Sequence, residues 1–262
     1  MRTAKLQARI LTAIKDGPKD GSTHWSCRKL ATRFGVGKDT IQRILAQADV
    51  RPHRLERYMA SDDPDFETKA ADVIALYLCP PQHAAVFCVD EKTAIQALDR
   101  LDPRLPLSPG RLERHGFEYR RNGTLSLYAA LDVKTGTVIG ELHRRHRSVE
   151  FIALLKELDA NHPPDHTIRL ILDHHSAHIS KETMSYLATR PNRFRYVHTP
   201  KHGSWLNLIE TLFGKMARTF LKRIRVQSLQ ELKERILKGV AEINAAPVIH
   251  RWKKFDFAES HV

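Results

Sequence analysis

Two apolar segments of this chain end on an aspartate, and this pattern constrains its fold most. Asp90 follows the apolar run of residues 84–89, and Asp173 follows the apolar residues 170–172. Both segments have the length and composition of buried strands. A carboxylate at the end of a buried strand is costly unless something compensates its charge. Since two strand ends of one sheet can lie side by side, the sequence predicts that the two carboxylates meet at one edge of a sheet.

The elements around these aspartates predict a mixed α/β sheet flanked by helices, because strands and helices alternate along this part of the chain. Residues 132–136 separate two strands and predict a hairpin with Asp132 as a turn residue. The predicted strands are residues 84–89, 125–131, 137–142, 167–172 and 194–197. The predicted helices are about residues 64–78, 148–159, 180–189, 204–222 and 228–243.

A third acidic residue, Glu210, lies on the predicted helix that follows the last strand. Asn207 precedes it by three residues on the same helical face, where it could orient the carboxylate or bond a metal-bound water. Three gathered carboxylates repel one another unless cations neutralise them, and Mg²⁺ or Mn²⁺ prefer such oxygen ligands. Two ions held in this way could activate a water or a 3′-hydroxyl for phosphoryl transfer. Glu91 is expected on the face opposite Asp90.

The first 60 residues are strongly basic, with 13 Lys and Arg against 5 Asp and Glu, in a chain of net charge +13. Such a concentration of charge favours a polyanionic partner such as nucleic acid, although it is also compatible with a solvated basic surface. Helices are predicted over about residues 4–16, 26–34 and 38–48.

The second and third of these helices predict a helix-turn-helix, with Gly35 at the turn and Ile41 and Ile44 holding the pair together. An alternative is a three-helix bundle or dimerisation module. Side chains of the third helix and of the following linker are the candidate DNA contacts. The candidates are Lys38, Thr40, Gln42, Arg43, Arg51 and Arg54.

Three motifs make the chain resemble the DDE transposases of the mariner-like bacterial insertion-sequence superfamily. The motifs are FCVDEKT at residues 87–93, LILDHHSAH at 170–178 and HTPKHGSWLNLIETLFGK at 198–215. Asp173 and Glu210 are separated by 36 residues, a spacing familiar in that family. Family members usually carry two helical DNA-binding modules, and the first is expected to be missing here because Met1 lies just before the second.

The resemblance implies an RNase H-like fold with two Mg²⁺ or Mn²⁺ ions held by Asp90, Asp173 and Glu210. It implies cutting at inverted terminal repeats and joining to a TA-containing target by a homodimer on double-stranded DNA. Lys92, Lys201 and His202 are expected near the site, where they could bind backbone phosphates or simply lie on the surface. The predicted domains are a helix-turn-helix domain at 1–50, a linker and connecting helix at 51–80, and an RNase H-like catalytic domain at 81–262.

Other functions and sites stay open at this point. The chain could be a catalytically inactive DNA-binding regulator or an RNase H-like nuclease. The histidines beside Asp173 could bind zinc or, more simply, line a DNA-facing loop; they are His174, His175 and His178. Four arginines are expected in a loop before the hairpin, where they contact DNA or solvent; they are Arg111, Arg114, Arg120 and Arg121. Three cysteines without a CxxC pair, and no long apolar run, fit a reducing, cytoplasmic, nucleoid-associated setting.

Overall fold

The chain forms two compact units, residues 1–59 and residues 60–262. The structure is a computed structural model that describes residues 2–52, 61–114, 116 and 118–250. Across these residues, none of the helices has the length and the apolar character that a membrane span requires.

Three helices build the first unit around a small apolar core. They are α1 (Arg2–Asp16), α2 (Cys27–Phe34) and α3 (Lys38–Gln47). The Ser26 hydroxyl caps α2 by accepting a hydrogen bond from the backbone N–H of Lys29. Gly35 ends α2 in the left-handed conformation, with φ 63°, which a residue without a Cβ adopts at little cost. The core side chains are Ile10, Trp25, Leu30, Ile41, Ile44 and Leu45.

The second unit contains a five-stranded mixed sheet. Its strands are β1 (Ala84–Arg100), β2 (Tyr119–Asp132), β3 (Val138–His143), β4 (Thr167–Leu172) and β5 (Phe194–His198). Their order across the sheet is β3-β2-β1-β4-β5. β2 pairs antiparallel with both β1 and β3, whereas β4 pairs parallel with β1 and β5 pairs parallel with β4. β1 pairs with β4 only from Ala84 to Cys88, with Cys88 opposite Ile171, so Asp90 of β1 lies beside the end of β4 and the residue that follows it, Asp173.

Helices cover both faces of this sheet. They are α4 (Phe66–Leu78), α5 (Ser148–Ala160), α6 (Lys181–Ala188), α7 (Ile209–Met216) and α8 (Leu229–Ala245). Side chains of α5 and α6 pack on one face, and those of α4, α7 and α8 pack on the other. Val86 and Cys88 of β1 enter one core, and Phe87 and Val89 enter the other. A strand buried on both faces reads as a continuous apolar run, which explains the sequence of β1.

The predicted length of β1 was wrong, because the strand continues to Arg100 rather than ending near Asp90. Beyond Asp90 the side chains become mostly polar, and the apolar run that marks a buried strand stops. Pairing with the long β2 extends the strand, through an irregularity between Lys92 and Ile95 where Ala94 has φ 54°. The extension depends on a partner distant in sequence, which a local pattern does not reveal.

The hairpin between β2 and β3 agrees with the prediction at its turn and differs at its start. The Asp132 carboxylate accepts hydrogen bonds from the backbone N–H groups of Lys134 and Thr135, as expected of a turn residue. The loop predicted for Arg120 and Arg121 was wrong, because both residues lie in β2 and pair with the far end of β1.

Candidate active site

Asp90 lies in β1 directly after the buried Val89, with its side chain partly buried. Its Oδ1 accepts a hydrogen bond of 2.7 Å from the backbone N–H of Glu91. Burial is the main cause that raises the pKa of Asp90 to about 7, and the negative charges of Glu91, Asp173 and Glu210 add to the rise. Asp173 and Glu210 therefore lie close enough to Asp90 for their charges to affect its pKa.

Asp173 follows the last residue of β4 and points its carboxylate to a neighbouring histidine. His178 is fully buried, and its Nδ1 lies 3.2 Å from Asp173 Oδ1. This contact, followed by a hydrogen bond from the backbone N–H of His175, holds the pKa of Asp173 below its usual range. Burial lowers the pKa of His178, but its contacts with Asp173 and Glu91 outweigh burial and raise it to about 9. Asp173 therefore ionises more readily than Asp90.

Glu210 is exposed in the first turn of α7, and the segment before it differs from the predicted helix. The predicted continuous helix over residues 204–222 was wrong, since a 3-10 turn (Ser204–Leu206) precedes α7 and a π-helical turn (Ala217–Leu221) follows it. Asn207 lies between the 3-10 turn and α7, and its backbone is extended, with ψ 110°. Asn207 therefore interrupts the helix on which it was expected.

Asn207 connects the start of α7 to the strand that carries Asp90. Its buried side chain donates a hydrogen bond of 3.0 Å from Nδ2 to the carbonyl oxygen of Val89, and its backbone carbonyl accepts from the N–H of Glu210 at 3.1 Å. The Asn207 side chain was expected to orient the Glu210 carboxylate, but its amide nitrogen donates to Val89 instead. Asn207 instead fixes the spacing between the backbones of two acid-bearing elements.

Replacing Asn207 by alanine lowers the free energy of unfolding by about 1–3 kcal/mol, because the buried carbonyl of Val89 loses its partner. Urea denaturation of the full chain measures this loss. Asn161→Ala is the matched control, because this exposed asparagine also donates to a backbone carbonyl, that of Glu157. We expect the control to change stability by less than about 0.5 kcal/mol. Equal effects of the two substitutions would contradict the role assigned to Asn207.

Lys92 and His202, the two residues predicted to support the site, contact other side chains than the three acids. Lys92 is two residues after Asp90 in β1, and its Nζ lies 5.8 Å from the ring centre of Phe213 on α7. His202 is in the turn after β5 with φ 58°, and its Nε2 lies 3.8 Å from Asp62 Oδ1. Both remain candidates for phosphate contacts, and neither has a hydrogen bond to the three acids.

A cleft of about 700 Å³ opens beside Asp173. Its wall includes the histidines after β4 and the turn after β5. This turn contacts residues 61–63, because the backbone N–H of Lys201 donates to Asp63 Oδ2 at 2.8 Å. The lining residues are Asp62, Asp63, Pro64, Lys69, Asp173, His174, His175, Thr199, Pro200, Lys201, His202 and Ser204. The cleft is therefore open to a large polar ligand on the Asp173 side of the site.

The chemistry of the three acids fits hard divalent cations. Their donors are all carboxylate oxygens, which Mg²⁺ and Mn²⁺ prefer. The pKa of Asp90 is raised mainly by burial and further by the nearby carboxylates, and a bound cation would favour its ionised form. The oxygens of Asp90, Asp173 and Glu210 do not all come within 4.8 Å of one another.

Sequence reasoning named Glu91 and His174 but missed their partners. Glu91 was expected merely to point away from Asp90, yet its carboxylate meets His175 and His178 on the other face of β1. His174, counted with the other histidines, instead stacks on His198 with ring centres 4.0 Å apart. Two sequence features could have indicated these contacts: the adjacent acids Asp90 and Glu91, and the three histidines that follow β4.

The predicted DNA contacts of the first unit lie where an external partner can reach them. On α3, Lys38, Gln42 and Arg43 are exposed and Thr40 is half-buried, while the opposite face fills the core. Arg51 is exposed, with its NH2 3.8 Å from Asp49 Oδ1. Arg54 lies outside the described residues. Their role in DNA binding stays a prediction.

Three comparisons with known proteins bear on identity. The family described as "DDE superfamily endonuclease" matches residues 85–233, which include all three acids. A Shigella sonnei protein, the insertion element IS630 uncharacterized 39 kDa protein, is 26% identical over 89% of this chain and 70% of its own length. The predicted resemblance to insertion-sequence proteins of this superfamily is thereby confirmed.

Two solved structures of Mos1 transposase are similar to this chain. The Mos1 strand transfer complex has a TM-score of 0.60 and 17% identity, over 94% of this chain and 71% of that one. The mariner Mos1 paired end complex with Mg has a TM-score of 0.61 and 16% identity, over 92% of this chain and 71% of that one. At these identities the likeness concerns the fold, and it confirms the predicted RNase H-like sheet. Since the family match spans more than half of the sequence, the chain belongs to the DDE superfamily of endonucleases.

Proposed function

We propose that this endonuclease is a DNA transposase that cuts DNA at the ends of an insertion element and joins the freed 3′-hydroxyls to target DNA. The observation that carries the proposal is the placement of three acids: Asp90 and Asp173 lie on adjacent parallel strands or directly after them, and Glu210 begins the helix that Asn207 ties to β1. Acids gathered in this way are a metal-binding arrangement suited to phosphoryl transfer.

In this proposal the three acids hold two divalent cations, Mg²⁺ or Mn²⁺. Such cations supply the Lewis acidity that activates a water or a 3′-hydroxyl and stabilises the leaving oxygen. His178 holds the Asp173 carboxylate in place through its Nδ1. Asn207 keeps the Glu210 turn against β1 by its bond to the Val89 carbonyl. Lys92 and His202 lie on the sides of the site, where we assign them contacts with backbone phosphates.

The partner in this proposal is double-stranded DNA bound by a homodimer. The Mos1 structures are complexes of that transposase, one described as holding a left transposon end and another as a strand transfer complex. The strongly basic first unit of this chain, with its exposed α3, is suited to a duplex with a negatively charged backbone. We therefore assign recognition of the inverted terminal repeats to residues 1–50 and catalysis to residues 81–262.

Cleavage of a duplex that carries the inverted repeats flanking the gene tests the proposed function. With Mn²⁺ or Mg²⁺ we expect cuts at the repeat ends and joined products when target DNA is added, and none of either with a chelator. Cutting of a scrambled duplex at the same rate would favour a nuclease without end selection. Binding of the repeats without any cut would favour the regulator.

Arg43→Ala in α3 weakens binding to the terminal repeat by about tenfold or more, because an arginine at a base edge contributes about 1–3 kcal/mol of discrimination. Lys15→Ala is the control, since it removes one exposed positive charge from α1 without touching α3. Fluorescence anisotropy at fixed salt, with repeat and scrambled duplexes, measures both. Equal losses of affinity in the two variants would mean that Arg43 contributes only its charge to DNA binding.

A further inference from the structure

A second cluster of metal-ligating side chains lies on the other face of β1 from Asp90. It consists of Glu91 of β1 with His175 and His178 of the segment after β4, and we call it the Glu91 triad. His175 Nδ1 lies 3.1 Å from Glu91 Oε1, and His178 Nε2 lies 3.5 Å from Glu91 Oε2. In the part of the chain that the structure describes, this is the one group of three such residues whose ligand atoms all fall within 4.8 Å.

The atoms that converge in the Glu91 triad are buried and without hydrogen bonds. Within the described residues, Oε2 of Glu91, Nδ1 of His175 and Nε2 of His178 have no hydrogen-bond partner. His178 is completely buried, and the Glu91 side chain is only 8% exposed. Burial of unpaired polar atoms costs free energy, and three such atoms aimed at one point are rare in folded proteins. The arrangement therefore calls for a ligand that all three can share.

The spacing and chemistry of these atoms match a tetrahedral transition-metal site. Ligands bound to zinc at about 2.0–2.2 Å in a tetrahedron lie roughly 3.3 Å from one another. His175 Nδ1 is 3.1 Å from Oε1 of Glu91 and His178 Nε2 is 3.5 Å from Oε2, so an ion held by both carboxylate oxygens has one histidine at about that separation from each oxygen. Two imidazoles and one carboxylate are also the ligand set of zinc sites that keep a fourth position open.

The second nitrogen of His178 supports the same conclusion. A metal-bound histidine usually donates its other ring N–H to a carboxylate or a carbonyl, which fixes the ring and its tautomer. His178 Nδ1 lies 3.2 Å from Asp173 Oδ1 and 3.4 Å from the Asp173 carbonyl oxygen. Nε2, the nitrogen that faces Glu91, is then free to bind a cation.

The geometry points to a binding site for one zinc-class ion in the Glu91 triad, separate from the site formed by Asp90, Asp173 and Glu210. Nitrogen ligands favour Zn²⁺ or Co²⁺ over Mg²⁺, whereas the three acids favour the hard cations. An ion in the triad pins the segment after β4 to β1 and thereby positions Asp173. This inference goes beyond the proposed function, since a chain that never transposes DNA would still bind the ion.

Zinc and cobalt binding to the untagged, chelator-treated full chain test the inference, with Mg²⁺ in large excess to occupy the three acids. We expect one Zn²⁺ per chain by equilibrium dialysis with elemental analysis, and intense visible absorption when Co²⁺ takes its place. Zinc should also raise the melting temperature. None of these readouts depends on catalysis.

Two neighbouring histidines provide a matched pair of variants. His175→Ala should weaken zinc binding at least about 100-fold and remove the cobalt spectrum, because it deletes one of three ligands. His174→Ala should leave both unchanged, because His174 stacks on His198 outside the triad. His175 is partly exposed, so the chain should fold without it, which a circular dichroism spectrum checks.

Three results would overturn the inference. The first is no zinc binding to the wild-type chain in excess Mg²⁺, which would mean that a proton on His178 is all that compensates Glu91. The second is equal affinity of the His175→Ala and wild-type chains. The third is loss of zinc in Glu210→Gln with no loss in His175→Ala, which would place the ion among the three acids.

Discussion

Replacing Asp173 by asparagine lowers metal-dependent cleavage of terminal-repeat DNA by about 1000-fold or more, the largest functional effect that we expect from one substitution. The carboxylate is ionised, because its contacts with His178 and with the backbone N–H of His175 hold its pKa below the usual range. Asparagine keeps the size of the side chain but offers a neutral oxygen to a divalent cation. The loss should therefore be in the rate of cleavage and not in DNA binding, and gel assays of both measure it.

Asp132→Asn is the control for this substitution. Asp132 also ends a strand of the sheet, but β2 is antiparallel to β1, so Asp132 pairs with Phe87, three residues before Asp90. Its carboxylate serves the hairpin turn, and an amide oxygen can accept the same two hydrogen bonds. We expect cleavage within about twofold of wild type. Similar losses in the two variants, or full activity of Asp173→Asn, would contradict the assignment of Asp173.

Replacing Asp90 by asparagine stabilises the metal-free protein above pH 7 by about 3 kcal/mol, the largest gain in stability that we expect at this site. Burial and the surrounding carboxylates raise the pKa of Asp90 from 3.8 to about 7 in the folded chain. As the pH rises from about 4 to 7, the unfolded chain loses this proton while the folded chain keeps it. Asp90 therefore makes the folded state progressively less stable over this range.

The pH dependence distinguishes this effect from a general change in packing. The stability difference between Asp90→Asn and wild type should be small near pH 4, grow to about pH 7 and then level off. Urea denaturation with a chelator present, at several pH values, measures it. Added Mn²⁺ should reduce the difference, because wild type then gains stability from binding. A difference independent of pH would show that ionisation of Asp90 is not its cause.

The positions of the three acids could be predicted from the sequence because each lies at the start of a helix or directly after an apolar run, and local sequence pattern marks both. Asp90 and Asp173 follow short apolar runs that only a sheet buried on both faces accommodates, and the observed β4 has the predicted bounds Thr167–Leu172. Glu210 lies at the start of a helix whose apolar residues have helical spacing. Parallel pairing of β1 with β4 then places Asp90 beside Asp173, where the pairing of the two strands ends.

Features set by contacts between distant segments were beyond local pattern. The continuation of β1 to Arg100 depends on its partner β2, and the break at Asn207 depends on a hydrogen bond to Val89, 118 positions earlier. The Glu91 triad depends on the same kind of contact, because alternation along β1 places Glu91 away from Asp90 without saying what it meets. Only the fold brings the histidines after β4 to that side of the strand.

Binding of Mn²⁺, followed by electron paramagnetic resonance, tests most directly that Asp90, Asp173 and Glu210 form one metal site. The titration uses a His175→Ala background, so that the Glu91 triad does not contribute. Asp90→Asn, Asp173→Asn and Glu210→Gln should each weaken binding at least about tenfold, whereas Asp132→Asn should leave it unchanged. If any one of the three substitutions leaves Mn²⁺ binding at the level of the control, these acids do not act together, and the account of this site is wrong.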